Sequence, residues 1–399
     1  MTVRDLPDGW SVVKMRNLAT IKYGRDPSPI LQPDGEYPVY GTSGAVRRGT
    51  EYLHEGDSII LGRKGSIDRV RLVRGKFWTI DTAYFLTDFV DAIPQWLFYS
   101  LQRVDLRSLN EATGVPSLAR DTLYMIEFAK PPEQEQQRIV DVVAAVDQAI
   151  QQSTALLAKQ LRIKTGVLRD LFTGGVDEHG DPRSEETHEF KDSAMGRIPM
   201  EWEASTLGRF AKFASGYAFK EHELTEDGWG VVRISNLHKP DFPFWHYKGR
   251  TKASWLVTSG DVLFSWAGVA SSIDCVRYHG PDALLNQHIY NLLFPSADLK
   301  AFIYFYLQNY LPKLRTEIEG GAGQLHLTKE KIRSIPVPEL PSAELARVVS
   351  VLETTETMMA VHRSQIAKLE RLRSGVMADL LDGVVRVGET APQIVGATS

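Results

Sequence analysis

The strongest constraint on this chain of 399 residues is an internal repeat. The segment Leu161–Val176 (LRIKTGVLRDLFTGGV) matches Glu370–Val385 (ERLRSGVMADLLDGVV) position by position. The same register continues upstream and pairs Gly114 with Gly323, Leu118 with Leu327, Ile126 with Ile335, Pro132 with Pro341 and Arg138 with Arg347. A register that holds over about 70 residues without a gap predicts two copies of one structural unit.

The regions upstream of the repeated stretches match at other offsets. LPDGW (Leu6–Trp10) resembles IPMEW (Ile198–Trp202), and GDSIILGRKGSI (Gly56–Ile67) resembles GDVLFSWAGVAS (Gly260–Ser271). Similar starts and ends with variable interiors indicate one scaffold that carries two different surfaces.

Each repeated stretch predicts one long helix. Between Pro132 and Gly174 there is no proline and only one glycine, and acidic residues open the segment, as suits a helix dipole. Apolar residues recur at helical spacing along one stripe of each helix. The stripes consist of Ile139, Val143, Val146, Ile150, Leu157, Leu161, Leu168 and Leu171, and of Val348, Leu352, Thr355, Met359, Ile366, Leu369, Val376 and Leu380. Helices of about 40 residues extend about 60 Å, so we expect the stripes to bury each other in an antiparallel coiled coil. The alternative is that each helix docks on its own module.

The two globular modules are predicted to be rich in strands. Short apolar or β-branched runs bounded by Gly, Asp or Pro predict strands at Ser58–Leu61, Val70–Val73, Phe77–Ile80, Val231–Ile234, Val262–Phe264 and Ile289–Phe294. Helices are predicted at Gln95–Leu101 and Lys300–Leu311. The predicted fold class is α+β, with two mixed, strand-rich domains separated by two long helices in a pseudo-twofold tandem repeat.

These patterns predict six consecutive segments. They are a first module (1–132), a first helix (133–173), an acidic linker (174–196), a second module (197–341), a second helix (342–383) and a flexible tail (384–399).

Charge is distributed unevenly along the chain, whose net charge is -4. Residues 173–196 hold seven acids and two bases, which accounts for the negative sign. Residues 47–76 hold eight bases and four acids, so the first module is expected to carry a local basic surface, although a mixed solvated surface has the same composition. The single cysteine, Cys275, excludes an internal disulfide and favours a reduced, cytoplasmic setting. The chain contains neither a recognisable signal peptide nor a stretch apolar enough to span a membrane.

Familiar catalytic motifs are missing from the sequence. There is no GxxxxGK[ST] phosphate loop, no HExxH, no CxxC and no GxSxG. Glu221–Glu223 (EHE) has the residue types of a metal site but lies in a polar stretch that predicts a loop. We therefore expect no catalytic and no metal site in this chain.

The end of the first module resembles a known family. Thr113–Val143 (TGVPSLARDTLYMIEFAKPPEQEQQRIVDVV) is similar to the junction that closes each target-recognition domain in the specificity subunits of Type I restriction–modification enzymes. Tyr37–Val46 and Leu61–Ile67 resemble recurrent loops of those domains, and the order module–helix–module–helix extends the resemblance from Leu6 to about Val385. The second junction departs from the pattern, because it has Glu344-Leu345 where the first has Glu135-Gln136.

The resemblance implies a DNA-binding subunit without chemistry of its own. Such subunits bind an asymmetric bipartite site in double-stranded DNA, with one half for each domain and the paired helices as a ruler for the spacer. The implied partners are two methyltransferase subunits, which use S-adenosylmethionine to methylate adenine, and restriction and translocase subunits, which use ATP and Mg²⁺. No cofactor is expected in this chain.

Candidate DNA-binding residues lie in Gly-bounded loops with Arg, Lys or amide side chains, which contact phosphates and base edges. In the first module they are Tyr40, Gly41, Thr42, Ser43, Gly44, Arg47, Arg48, Arg63, Lys64 and Ser66. In the second they are Arg233, Ser235, Asn236, Ser265, Trp266, Asn286, Gln287 and His288.

Two other functions stay open at the level of sequence. A non-catalytic coiled-coil scaffold that spaces two protein-binding modules predicts no affinity for DNA. A nuclease or methyltransferase fused to its own recognition domain conflicts with the missing motifs.

Overall fold

The computed structural model describes residues 6–239, 241–318 and 325–388, and the chain divides into two compact units. Unit 1 comprises residues 1–155 and 364–399, and unit 2 comprises residues 156–363. The end of the predicted tail, from residue 389 onward, lies outside the described residues.

Unit 1 contains the first module and parts of both long helices. Its strands are β1 (Ser11–Lys14), β2 (Thr20–Tyr23), β3 (Tyr37–Gly41), β4 (Gly44–Gly49), β5 (His54–Glu55), β6 (Ser58–Gly62), β7 (Val70–Val73), β8 (Lys76–Thr79), β9 (Ala83–Thr87) and β10 (Glu127–Lys130). Its helices are α1 (Pro94–Gln102), α2 (Arg120–Tyr124) and the first part of α3 (Glu133–Thr173). The strands form two four-stranded sheets, ordered β2-β9-β6-β7 and β4-β3-β8-β5, and the pair β1-β10.

Unit 2 contains the second module. Its strands are β11 (Phe190–Ser193), β12 (Gly196–Pro199), β13 (Glu203–Thr206), β14 (Lys212–Ser215), β15 (Leu224–Thr225), β16 (Trp229–Val232), β17 (Trp245–Tyr247), β18 (Leu256–Val257), β19 (Val262–Ser265), β20 (Ala267–Gly268), β21 (Asp274–Arg277), β22 (Ala283–Leu285), β23 (Ile289–Leu293), β24 (Leu325–His326) and β25 (Pro336–Glu339). Its helices are α4 (Leu207–Phe210), α5 (Ile234–His238), α6 (Ala297–Ile318), α7 (Lys329–Arg333) and the first part of α8 (Ser342–Leu381). The larger sheets are ordered β14-β23-β19-β21 and β15-β17-β16-β22-β18.

The apolar runs predicted as strands at Ser58–Leu61 and Val262–Phe264 form β6 and β19, which are buried on both faces. Every residue of β6 and of β9 is buried, as expected for central strands of a covered sheet. Three predicted strands run too far: Ile80 and Phe294 lie just beyond β8 and β23, and Ile234 begins α5 instead of ending a strand. At Ile234 the reason is that Asn236 caps the chain at Arg233 through its side-chain oxygen.

The two long helices end at the predicted residues or within two of them, and each contributes to both units. In unit 1, Ile139 and Val143 of α3 share a core cluster with Met377 and Leu380 of α8. In unit 2, Leu171 of α3 shares a cluster with Val348 and Leu352 of α8. Within each unit the start of one helix therefore lies against the end of the other, which confirms the antiparallel pairing and the α+β class.

The predicted stripe is wrong at Leu161, whose side chain is 44% exposed. In unit 2 the side-chain oxygen of the neighbouring Gln160 instead accepts a hydrogen bond from His362 Nδ1 (2.7 Å), and Lys164 pairs with Glu356. The contact between the helices is polar here, so counting apolar residues placed the stripe one position too far along α3.

A buried glutamate ties the start of α3 to unit 1. The side chain of Glu135 is 2% exposed and accepts a hydrogen bond from Trp10 Nε1 (3.0 Å). Arg386, which follows the end of α8, donates to both carboxylate oxygens at 3.1 and 2.8 Å. Burial alone would raise the pKa of Glu135, but the bonds from Arg386 and Trp10 outweigh it and hold the pKa below its usual value.

Unit 2 repeats this arrangement at the start of α8. Glu344 is 1% exposed, accepts from Trp202 Nε1 (3.0 Å) and from the backbone N–H of Val176 (3.1 Å), and pairs with Arg183, which follows the end of α3. Both junctions therefore use the same Trp–Glu–Arg cluster. Leu345 stands in unit 2 where Gln136 stands in unit 1. A leucine cannot make the hydrogen bonds that Gln136 makes with Ile93 N and with the carbonyls of Asp91 and Pro131.

The segment predicted as an acidic linker, 174–196, has ordered structure in unit 2. Val176 is buried in the core cluster, Gly175 (φ +64°) lies against Trp202, and β11 pairs with β12 as a hairpin. The sequence register pairs Gly383, after α8, with Gly174, after α3. Gly383 (φ +71°) and Gly175 (φ +64°) are the glycines in the left-handed conformation, so Gly175 is the structural equivalent of Gly383.

Candidate nucleic-acid interface

Strand ends and loops of the first module meet at one edge. The carboxyl ends of β2 and β6 lie beside the amino ends of β9 and β7, because these neighbours are antiparallel. Backbone bonds then join the loops: Ile80 N donates to Tyr40 O (3.0 Å), Arg25 N to Thr79 O (2.8 Å) and Arg63 N to Thr82 O (2.9 Å). We call residues 24–26, 40–44, 63–66, 80–82 and 116–118 the loop edge of the first module.

The second module builds the same edge from different residues. Asn286 N donates to Val232 O (3.0 Å), Tyr217 N to Leu285 O (2.8 Å) and Trp266 N to His288 O (3.2 Å). A later segment of each module is attached to its edge in the same way. Leu118 N donates to Arg63 O (3.0 Å) in the first module, and Leu327 N donates to Trp266 O (3.1 Å) in the second. Residues 216–217, 233–236, 265–268, 286–288 and 325–327 form the loop edge of the second module.

One glycine in each module permits the close approach of these loops. A Cβ atom on Gly24 would lie 2.0 Å from Ile80 O, and one on Gly216 would lie 2.2 Å from Leu285 O and Asn286 O. Only glycine fits where backbone packs on backbone. The two loop edges thus share the same backbone arrangement and differ in their side chains.

The structure brings most first-module candidates together but leaves two apart. Ser43, Lys64 and Ser66 are exposed at the loop edge, Tyr40, Thr42 and Arg63 are half-buried there, and Gly41 and Gly44 form the tight turn between β3 and β4. Arg47 and Arg48 lie farther along β4. Arg48 donates to the carbonyls of Gly35 and Glu36 at 2.6 Å each, so it holds its own turn.

Three second-module candidates have structural roles, which corrects the prediction for them. Ser265 is fully buried, and its hydroxyl donates to Ser272 O (2.6 Å) and accepts from Asp274 N (3.0 Å). The amide of Asn236 is buried and bonded to Arg233 N (3.1 Å) and Phe242 O (2.6 Å). Asn286 is 7% exposed, so its amide lies under the edge rather than on it.

Arg233 is fixed in an aromatic cage. Its Cζ atom lies 4.1 Å from the ring centroid of Trp245 and 5.1 Å from that of Phe242, and Nη2 donates to Pro243 O (2.7 Å). Burial lowers the pKa of this guanidinium. The remaining candidates, Ser235, Trp266, Gln287 and His288, are half-buried at the edge.

Sequence reasoning missed several side chains of these edges. In the first module Tyr23 is 45% exposed, and Arg63 and Arg120 lie over its ring at 5.3 and 5.1 Å. Burial, with the adjacent Tyr23, raises the pKa of Tyr84 to about 12, so its hydroxyl remains the donor to Leu118 O (3.0 Å). In the second module Phe242 and Trp245 are exposed aromatic residues. Only Arg120 had a sequence signal, since the repeat pairs it with Lys329.

Within the described ranges, no three His, Cys, Asp or Glu side chains converge as a ligand set for a metal ion. Glu221–Glu223 forms a 3₁₀ turn in which Glu223 bonds Lys220 N (2.9 Å) and the Tyr217 hydroxyl (3.1 Å). None of the helices in this part of the chain combines the length and apolar character that crossing a bilayer requires.

Replacing Arg63 and Lys64 by Ala is expected to weaken DNA binding by roughly 1–3 kcal/mol if Arg63 contacts a base. The Nη1 atom of Arg63 is already held by Asp81 O (2.9 Å), which orients the guanidinium at the edge. Binding is measured by fluorescence anisotropy on the complete enzyme, with Arg48→Ala as the control that should change affinity little. Unchanged affinity of the double variant removes this loop from the interface.

The fold and the two equivalent edges define a two-module recognition protein whose modules share a scaffold and differ in their contact residues. The profile of the family described as "Type I restriction modification DNA specificity domain" matches residues 7–159 and 199–371. The chain belongs to this family and is a DNA specificity subunit.

Individual relatives agree with the family. The chain is 24% identical to the Type I restriction enzyme MjaVIII specificity subunit of Methanocaldococcus jannaschii, over 96% of this chain and 94% of the relative. It is 22% identical to the putative MjaX specificity subunit of the same organism, over 74% and 68%. A crystal structure of the S subunit from M. genitalium shares the fold with a TM-score of 0.64 at 16% identity, covering 96% and 98%.

Proposed function

We propose that this chain reads a bipartite, asymmetric DNA site, one half with each module, and directs adenine methylation and DNA cleavage by partner subunits. The observation that carries the proposal is the repeated loop edge. Its backbone bonds are the same in both modules, whereas its side chains differ, with Arg25 in place of Tyr217 and Arg63 in place of Trp266. A common scaffold with exchanged contact residues is what reading two different half-sites requires.

The partners are proposed to be two methyltransferase subunits, joined by restriction and translocase subunits that act on the same DNA. A structural neighbour at TM-score 0.56 and 17% identity is described in a study of complex assembly in the type I R-M system. In this scheme S-adenosylmethionine, ATP and Mg²⁺ are bound by the partners, and the chain itself contributes recognition without catalysis.

Exposed apolar side chains on the long helices support a protein partner. In unit 2, Leu161 and Ile163 of α3 and Met358 and Val361 of α8 are 44–59% exposed, although each helix also carries a buried stripe. Large apolar residues that stay exposed mark contact surfaces for other proteins, and Met358 and Val361, three residues apart, share one face of α8. We infer that methyltransferase subunits dock on these faces.

Co-expression with the neighbouring methyltransferase gene is expected to give a complex of two methyltransferases and one copy of this chain. The complex should methylate DNA with S-adenosylmethionine, whereas the chain alone should aggregate and show no methylation and no Mg²⁺-dependent cleavage. Size-exclusion chromatography with light scattering gives the stoichiometry, and tritiated methyl transfer gives the activity.

Ile163→Glu with Met358→Glu should abolish the complex, because each substitution places a charge at an exposed apolar position of one long helix. Gln151→Glu adds the same charge at an exposed polar position of α3 and serves as the control. A stable monomer of this chain that never associates with the methyltransferase contradicts the proposal.

A further inference from the structure

One cation occupies the same place in both modules, although its neighbours differ. Arg120 is the first residue of α2 and Lys329 is the first residue of α7, and the repeat register pairs these two positions. Each lies two residues after the leucine, Leu118 or Leu327, whose backbone N–H is bonded to the loop edge. Backbone geometry therefore fixes both cations beside their edges.

In the first module Arg120 shares a tyrosine ring with a second cation. Its Cζ atom lies 5.1 Å from the centroid of Tyr23, and the Cζ atom of Arg63 lies 5.3 Å from the same centroid. Among the described residues Arg120 makes no ion pair within 4.0 Å, and its buried Nε has no hydrogen-bond partner. Two positive charges beside one ring favour a nearby anion.

In the second module Lys329 takes the corresponding position. Its Nζ atom lies 5.7 Å from the ring centroid of Tyr290, and this ring also stacks with Trp266 at 5.8 Å. Strand register makes Tyr290 the counterpart of Tyr84. Tyr290 pairs with Ser215 at the end of β14, and Tyr84 pairs with Tyr23 at the end of β2. The cation is thus kept while the side chains around it are exchanged.

The acids next to these cations do not neutralise them. Asp121 and Glu330 follow Arg120 and Lys329 in the sequence, and both acids are exposed. Within the part of the chain that the structure describes, neither acid lies within 4.0 Å of the cation beside it. Both cations therefore remain available to an external anion.

The combination of a constant cation with variable neighbours separates two kinds of DNA contact. A contact to a base must differ between modules that read different sequences, whereas a contact to the phosphate backbone serves any sequence. We propose that Arg120 and Lys329 are equivalent phosphate contacts, which anchor the two loop edges to the DNA backbone. This inference rests on the proposed function, since it assigns residues to the same DNA interface.

The test measures salt-dependent DNA binding of the complete complex carrying Arg120→Gln or Lys329→Gln. Affinities are determined for the recognised duplex and for a scrambled duplex between 50 and 300 mM salt. Loss of one phosphate contact is expected to reduce the slope of log K against log salt by about 0.9, which corresponds to about eightfold weaker binding at 0.1 M salt. Both duplexes should be affected alike, and the methylated sequence should not change.

The chain offers matched controls at the opposite edges of the same sheets. Arg74 follows the far end of β7, and Lys212 begins β14 at the end away from Ser215. Arg74→Gln and Lys212→Gln remove the same charge and should leave the slope unchanged. Arg120→Lys and Lys329→Arg keep the charge and should bind as the wild type does. If Arg120→Gln folds poorly, Arg120→Met takes its place, because it keeps an apolar stem over Tyr23, and it should show the same reduction in slope.

The outcomes separate this inference from the proposed function. A wild-type complex that prefers no DNA sequence contradicts the proposed function. A sequence-specific wild type with unchanged slopes for both Gln variants overturns only the assignment of the two cations. Weakened binding confined to the recognised duplex, or an altered methylation site, also overturns it, because that result identifies a base contact.

Discussion

Glu344→Ala is expected to destabilise unit 2 by about 3–5 kcal/mol, the usual cost of removing one partner of a buried ion pair. Arg183 would keep its charge at 8% exposure with no carboxylate beside it, and Trp202 Nε1 and Val176 N would lose their acceptor. Urea unfolding followed by tryptophan fluorescence measures the loss, since Trp202 is fully buried at this site.

Matched variants identify the cause of the loss. Glu344→Gln keeps an acceptor for Trp202 but removes the charge, so it should cost less than Glu344→Ala. Glu135→Ala in unit 1 should also cost less, because its partner Arg386 is 47% exposed and regains water. Glu353→Ala breaks a partly exposed pair with Arg277, which keeps access to water, and should change the free energy of unfolding by less than about 1 kcal/mol. A loss below about 1 kcal/mol for Glu344→Ala contradicts the role assigned to this cluster.

Inserting two residues into each long helix is expected to abolish methylation, whereas inserting four should preserve it. The insertions are placed between Ser153 and Thr154 in α3 and between Ala367 and Lys368 in α8. Four residues are about one helical turn and keep each buried stripe in phase, while two residues rotate it to the far side.

The four-residue variant should recognise the same half-sites with a spacer longer by one or two base pairs. Four residues add about 6 Å of helix, and one base pair spans about 3.4 Å of DNA. Sequencing of methylated adenines in cells that carry each variant gives the spacer directly. An unchanged spacer with full activity, or altered half-site bases, shows that the helices do not set the spacing.

Local patterns predicted the elements that depend on local physics. The three-and-four spacing of apolar residues located α3 and α8, and the apolar β-branched run of β6 and that of β7 located both strands. The spacing of apolar residues within a short window indicates a helix or a strand, so one sequence is enough to predict these elements.

Contacts between distant residues could not be predicted in this way. The partner of Glu344 is Arg183, which lies across the whole second module in sequence, and nothing near either residue indicates the pair. The error at Leu161 has a similar origin, because the polar pairs that Gln160 and Lys164 make with α8 decide which side of α3 faces inward.

The candidate interface was predicted by loop chemistry rather than by geometry. Gly-bounded loops pointed to Arg63 and Lys64, which lie at the loop edge. The same chemistry selected Ser265, whose hydroxyl completes the strand ends instead. Tyr23 was missed because an exposed aromatic at a strand end has no signature until the fold places Arg63 and Arg120 over it.

Mapping of methylated adenines in a methylation-free host that expresses this chain with its methyltransferase tests the central claim most directly. The expected result is one asymmetric site made of two half-sites at a fixed spacing, with module-specific changes when residues of one loop edge are replaced. Variants at the first edge, such as Arg63→Ala, should alter only one half-site. A continuous site, or one whose two halves both change when a single module is altered, would contradict the assignment of one half-site to each module.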